Sequence, residues 1–308
     1  MKYIIDGHYD ILMDVAARRK KGERQVIRRR YYPAFQKGGV TGIVASIFVD
    51  SQYLPYGALS VAMEQISALH CEIEETPDLL MLCTSADDFL RAAETGKIGF
   101  LLSFEGAEPV SSCLLLHGFY AAGVRGLGLA WSRRNAAADG CDFSGSLKKG
   151  GLTEFGRELV KEAEDLHMIL DLSHLSDEGV EDVLSITSCP VIASHSNSRA
   201  VAGSNRNLTD CQMREIASRG GTAGLNGCRL LTAGPGVSPD QNGLTAHLDH
   251  MTEIMGEDHV AFGFDFCDSF FADDLSSSTD QMPERPFDIL SGAHENLPAF
   301  LDHLRQHG

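Results

Sequence analysis

Short apolar runs, many of them β-branched, recur along the chain with helical patterns between them. They are YIIDGH (3–8), TGIVASIF (41–48), KIGFLLSFEG (97–106), VRGLGLAW (124–131), HMILDLSHL (167–175), PVIASHS (190–196), GGTAGLNG (220–227) and HVAFGFDF (259–266). The runs are continuously apolar rather than alternating, as parallel strands buried on both faces are. Between them the spacing predicts helices within 57–76, 111–122, 153–166, 176–187, 209–219 and 244–256. Ser176 is placed to cap one of these, with Asp177 and Glu178 in the first turn where the helix dipole favours acids. Thr209 and Gln212 have the spacing of a capping box, and Gly220 with Gly221 closes the same helix. The region around Pro33, the loop 234–243 and the acidic stretch 273–288 read as irregular.

Eight strands alternating with helices over roughly 250 residues predict a (β/α)8 TIM barrel, an α/β fold, in one domain spanning 1–308. A doubly wound sheet would bring a glycine-rich phosphate turn after its first strand. Here that strand ends in DGHYD, without GxGxxG.

Charge then narrows the function. The 308 residues carry 26 Lys and Arg against 43 Asp and Glu, a net charge of −17. Such a surface repels phosphate backbones and anionic headgroups, which argues against nucleic-acid and membrane partners. No segment reaches the roughly 18 apolar residues of a membrane span, and no export signal is evident, so a cytoplasmic protein is expected. Eight cysteines without a CxxC pair argue against a disulfide framework or a zinc ribbon. One stretch opposes the overall sign: RRKKGERQVIRRR, residues 18–30, holds eight basic residues and one acid. It reads either as a solvated face or as a lid on the active-site face that attracts anionic substrates.

Barrel enzymes gather catalytic groups at the C-terminal ends of their strands. The first run ends in His8 and Asp10, the third in Glu105, the fifth in His174, the sixth in His195 and the eighth in Asp265. In an extended segment His8 and Asp10 share a face. Glu105 closes an apolar run, where a carboxylate is costly to bury without a cation. Mixed nitrogen and oxygen donors suit Zn²⁺ best, and the set is large enough for two ions with Glu105 offering one oxygen to each.

The motifs DGHYD, SFEG, ILDLSH, and PVIASHS followed by NRNLTD resemble, in order and spacing, those of the membrane dipeptidase (renal dipeptidase) family of metallopeptidases, peptidase family M19. The resemblance implies a (β/α)8 barrel with two zinc ions that hydrolyses dipeptides through a metal-bridging hydroxide. It assigns His8, Asp10 and Glu105 to one zinc and Glu105, His174 and His195 to the other. Asp265 matches the aspartate beside the metals and, with Glu105, forms the catalytic pair. Arg206 matches the arginine that holds the substrate's terminal carboxylate, with Trp131 and Asn226 as further substrate contacts. The family leans toward a homodimer.

Three departures accompany the resemblance. Trp131 stands where better-known members carry a histidine, Cys267 and Asp268 replace Asp and Gly, and the family's C-terminal segment is absent after residue 308. Two rival readings stay open. One is an amidohydrolase for N-acyl amino acids or cyclic amides, although no lysine falls at a strand end to bridge metals. The other is a non-catalytic ligand-binding barrel.

Overall fold

The eight apolar runs become eight parallel strands. In the computed structural model, which describes residues 3–142, 150–267 and 288–307, they are β1 (Ile5–Tyr9), β2 (Gly42–Phe48), β4 (Ile98–Glu105), β5 (Val124–Gly128), β6 (Ile169–Asp171), β7 (Val191–Ala193), β8 (Thr222–Leu225) and β9 (Val260–Phe262). Neighbours follow the order β1–β2–β4–β5–β6–β7–β8–β9, and β9 closes the barrel by pairing with β1 at Phe262 and Asp6. A (β/α)8 TIM barrel results. β4 is buried at all eight of its positions, which explains why its run is apolar on both faces.

A further strand, β3 (Leu80–Leu82), lies beside the first half of β4, while β5 takes the second half of the same edge. Its three residues are too short to leave a periodic signal in the sequence.

The helices follow their caps. They include α1 (Ile11–Lys20), α2 (Tyr32–Gly38), α3 (Ala58–Glu75), α4 (Ala86–Glu94), α5 (Cys113–Ala121), α6 (Glu154–Asp165), α7 (Asp177–Ile186), α8 (Asp210–Ser218), α9 (Arg229–Thr232) and α10 (Gln241–Met255). Ser176 caps α7 through the Gly179 amide, and Thr209 with Gln212 closes a complete capping box on α8. Two expectations are corrected. Pro33 does not interrupt structure but sits in the first turn of α2, where its missing N–H costs nothing. Asp240 caps α10 by accepting from the Gly243 amide, which starts that helix inside the stretch read as a loop. Residues 273–287 of the acidic stretch lie outside the described residues.

The basic stretch 18–30 is also relocated. α1 leaves the C-terminal end of β1 and runs back along the barrel, so this stretch sits at the opposite end from the strand termini that carry the site chemistry. Arg18 donates to Asp14 at 2.6 Å, and Arg19 is paired with Glu72 and, at 2.7 Å, with Glu75 on α3. Arg28 lies 3.5 Å from Asp78, beside the start of β3. Arg19 thereby fastens α1 to α3, and the stretch forms no lid on the active-site face. No helix among the described residues is long and apolar enough to cross a membrane, and no disulfide joins any of the cysteines among the described residues.

Candidate metal centre

β1 and β4 carry two of the site residues inside the ladder. His8 is within β1, and Glu105 is the last residue of β4. The others lie just beyond their strands, where the chain turns. Asp10 is not a continuation of the extended segment, because β1 ends at Tyr9 and Asp10 is the residue that leads into α1, with φ −77° and ψ 22°. His174 and Asp265 adopt φ of 68° and 61°, as does Ser132 at 23°, so three non-glycine residues are held in the left-handed region at one site. Such backbone costs of order 1–3 kcal/mol per residue and persists where the surroundings impose it. Close backbone approach contributes. A Cβ on Gly224 or Gly263 would lie 1.9 or 1.8 Å from the Ser194 carbonyl oxygen, so only glycine lets β8 and the end of β9 close around Ser194 and His195.

The side chains converge. His8, Glu105, His195 and Asp265 present ligand atoms that all lie within 4.8 Å of one another. Glu105 divides its carboxylate. Oε2 is 3.5 Å from His8 Nε2, itself 3.5 Å from Asp10 Oδ1, whereas Oε1 is 3.0 Å from His174 Nε2 and 3.5 Å from His195 Nε2. Asp265 Oδ1 is 3.8 Å from His8 Nε2. The structure thus brings together all six residues expected at the strand ends.

Imidazole orientation follows from hydrogen bonding. Ser194 Oγ donates to Asp171 Oδ2, so it must accept at 2.6 Å from His195 Nδ1–H, which leaves the His195 Nε2 lone pair facing the cluster. Ser132 Oγ meets His174 Nδ1 at 2.7 Å. Ser46 Oγ donates to Asp10 Oδ1 and lies 3.3 Å from Glu105 Oε2.

Electrostatics show how poorly these groups suit one another without cations. Burial pushes the Glu105 carboxyl up to about 8, with the Asp10 charge adding to it. Burial also pushes Asp265 up to about 6, again with help from Asp10. Burial, then the Arg206 charge, holds His174 well below its ordinary value; burial, then His8 and Arg206, does the same to His195. For His8 burial acts downward, yet the Glu105 and Asp10 carboxylates raise it well above the usual range. His8 Nε2 is buried with no hydrogen-bond partner, and the Nε2 atoms of His174 and His195 stand 2.9 Å apart. An orphaned imidazole nitrogen, two opposed ring nitrogens and three carboxylates in one buried volume fit divalent cations and little else.

The family model for membrane dipeptidase (peptidase family M19) matches residues 2–281. The chain belongs to this family. Like its members, it is a metallo-dipeptidase. It is 32 % identical over 219 residues to dipeptidase verJ of Clonostachys rogersoniana, covering 71 % of this chain and 55 % of that one. An uncharacterized protein in the pqqA 5′ region of Klebsiella pneumoniae is 34 % identical over 229 residues, 72 % of this chain and 84 % of its own. Among solved structures, the metallopeptidase of Rhodobacter sphaeroides liganded with a phosphinate mimic of L-Ala-D-Ala is 29 % identical with a TM-score of 0.82, covering 99 % of this chain and 93 % of that one. The M19 dipeptidase AC is 30 % identical with a TM-score of 0.83, covering 99 % and 92 %.

Within this M19 chain the remaining expected residues lie around the cluster. Arg206 is buried, donating to Ser196 Oγ at 2.6 Å and to the His195 carbonyl at 2.9 Å, and no carboxylate pairs with it among the described residues. Trp131 stands 5.7 Å, ring to ring, from His174. Asn226, expected among the substrate contacts, is instead fully buried and occupied. Its Nδ2 donates to Asp265 Oδ2 at 3.0 Å and to the His195 carbonyl, and its Oδ1 accepts from the Cys228 amide. Cys267 is buried, and Asp268 lies outside the described residues.

Asp171, Ser194, Ser46 and Ser132, which hold the ligand side chains, were not expected from the sequence as supports of the site. A signal existed for some. Ser194 directly precedes His195, and Ser46 is the polar break in the β2 run, whereas Ser132 gives no local hint of its contact with His174.

Proposed function

We propose that the cluster is a binuclear zinc centre that hydrolyses dipeptides, including those with a D-residue at the C-terminal position. The observation that carries this reading is the division of Glu105 between His8 and Asp10 on one side and His174 and His195 on the other. His8, Asp10 and Glu105 would hold one ion, and Glu105, His174 and His195 the second. When bound, such ions supply a Lewis acid for the scissile carbonyl and lower the pKa of a water toward neutrality.

The chain's own groups do the rest. Asp265, held at Oδ2 by Asn226, keeps Oδ1 toward His8 and takes the proton of the attacking water there, then returns it to the leaving amine. Arg206 supplies the buried, carboxylate-free guanidinium that a dipeptide's terminal carboxylate needs, and its fixed position limits how long a peptide fits. Eight cysteines with no disulfide among the described residues support a reducing, cytoplasmic setting.

The test is metal analysis of the purified protein combined with a substrate panel of L,L- and L,D-dipeptides, N-acyl amino acids and hydantoins. The expected result is two zinc equivalents and hydrolysis of dipeptides alone. Turnover of only the N-acyl or cyclic substrates, or full dipeptide turnover with one metal equivalent or none, would overturn the reading.

A further inference from the structure

We infer that Trp131 is a specificity-determining residue, forming with Phe48 and Arg133 an aromatic wall that receives the side chain of the dipeptide's first residue and favours apolar ones. This rests on the dipeptidase reading above. The wall is built from three strand ends. Phe48 closes β2, Trp131 and Arg133 follow β5, and Glu108 follows β4. The Trp131 and Phe48 rings are 5.1 Å apart at 60°, and the Arg133 guanidinium packs over both, 4.9 Å from the Trp131 centroid and 5.6 Å from that of Phe48. Arg133 is itself anchored, donating to Glu108 Oε1 at 3.0 Å, to Ser51 Oγ at 3.2 Å and to the Val49 carbonyl at 2.6 Å. Its charge is therefore matched, and the indole is locked without contact to a substrate. Trp131 is only half-buried and lies against His174, so the wall borders the cluster itself.

Barrel geometry says which part of the substrate meets it. In the closed order β1–β2–β4–β5–β6–β7–β8–β9, β2 lies diametrically across from β7. Arg206 hangs over the β7 end through His195 and Ser196, and Phe48 ends β2. A dipeptide with its carboxylate on Arg206 and its peptide bond over Glu105 therefore extends its amino-terminal residue toward the β2 and β5 side. There it meets a rigid aromatic surface with no unpaired charge, which stabilises an apolar side chain and offers a charged one no ion-pair partner.

Trp131 is the single tryptophan of the chain, so intrinsic fluorescence reports on it alone. The experiment compares wild type, W131A and W131F, all zinc-loaded, on dipeptides beginning with Gly, Leu, Phe, Asp or Lys and sharing one second residue. Phosphinate mimics with Gly or Leu in the first position serve as fluorescence ligands for the wild type. W131A should lose about tenfold more kcat/KM on Leu- and Phe-first substrates than on the Gly-first one, chiefly through KM, and W131F should recover most of that loss. The Leu-first mimic should change the wild-type fluorescence far more than the Gly-first mimic. An equal loss on all first residues, or dipeptide turnover with fluorescence indifferent to the first residue, overturns the inference while leaving the dipeptidase reading intact. Absence of any dipeptide turnover overturns both.

Discussion

Asp6 and His294 lie 288 positions apart, yet His294 Nε2 meets Asp6 Oδ2 at 2.6 Å with both side chains buried. The other carboxylate oxygen of Asp6 accepts from the backbone amides of His8, at 3.3 Å, and Phe264, at 3.0 Å. Asp6 thus ties the strand bearing His8 to the turn bearing Asp265. His294, ringed by Tyr9, Phe35 and Phe266, fixes Asp6 from behind. Replacing His294 by Ala leaves Asp6 Oδ2 buried and unpartnered, a cost of about 1–3 kcal/mol or more. Zinc affinity should fall about 10–100-fold, as for other groups that support metal ligands. Denaturant unfolding and chelator competition measure the two effects separately. Unchanged zinc affinity would mean that the pair serves only the fold.

Glu105→Gln keeps the shape of the side chain proposed to bridge the two ions and removes its charge. The protein should bind less zinc and lose about 10³-fold or more of its dipeptide turnover. Metal content by atomic emission alongside kcat decides it, and a variant with full metal and near-normal kcat would refute the bridging role.

The metal-free protein should become less stable as pH rises from 6.5 to 8. Glu105, with an ordinary value near 4.5, is held up to about 8 in the fold, so its contribution is present below 4.5 and lost as pH rises through 8. His8, raised above 6.5, acts in the same direction. Asp265 has largely lost its contribution above 6, and the lowered His174 and His195 weaken the fold only below 6.5, where the unfolded chain protonates. A zinc ion bound as proposed would displace the Glu105 proton, so zinc affinity should rise across the same window. Urea unfolding at the two pH values, with and without zinc, tests this. Metal-free stability that is flat or increasing contradicts it.

Ser194→Ala removes the hydroxyl linking Asp171 to His195 Nδ1. The imidazole is then free to turn or change tautomer, and zinc affinity should drop by about 10–100-fold. Chelator competition reads this directly, and Ser194→Thr should recover part of the loss by keeping the hydroxyl.

Arg206→Met should lower kcat/KM for dipeptides by about 10²-fold while affecting their C-terminal amides far less, because an amide carries no charge for the guanidinium. Equal losses on both would remove Arg206 from carboxylate recognition.

Much of the architecture is legible in the chain itself. A strand buried at every position, as β4 is, must be written as an apolar run, and caps such as Ser176 and Thr209 announce helix starts because they satisfy amides only a few residues away. The same locality exposes the site. A barrel delivers each strand end to one face, so polar residues closing apolar runs mark His8, Glu105, His174, His195 and Asp265 in the sequence alone. Reading fails where partners are distant or elements short. β3 has three residues, and the basic stretch 18–30 carries no sign that Asp14, Glu72, Glu75 and Asp78 neutralise much of it.

What the sequence by itself determined was therefore the eight barrel strands, caps such as Ser176 and Thr209, and the identity of the groups at the strand ends, since each depends on local periodicity or on neighbours within a few residues. Only the tertiary structure decided which oxygen of Glu105 faces which pair, that Asn226 serves Asp265, that Trp131 rests on Phe48 and Arg133, and that His294 holds Asp6. These depend on closure of the barrel, which brings together atoms from opposite ends of the chain, and on burial, which makes each unpaired charge or lone pair costly enough to require the partner found there.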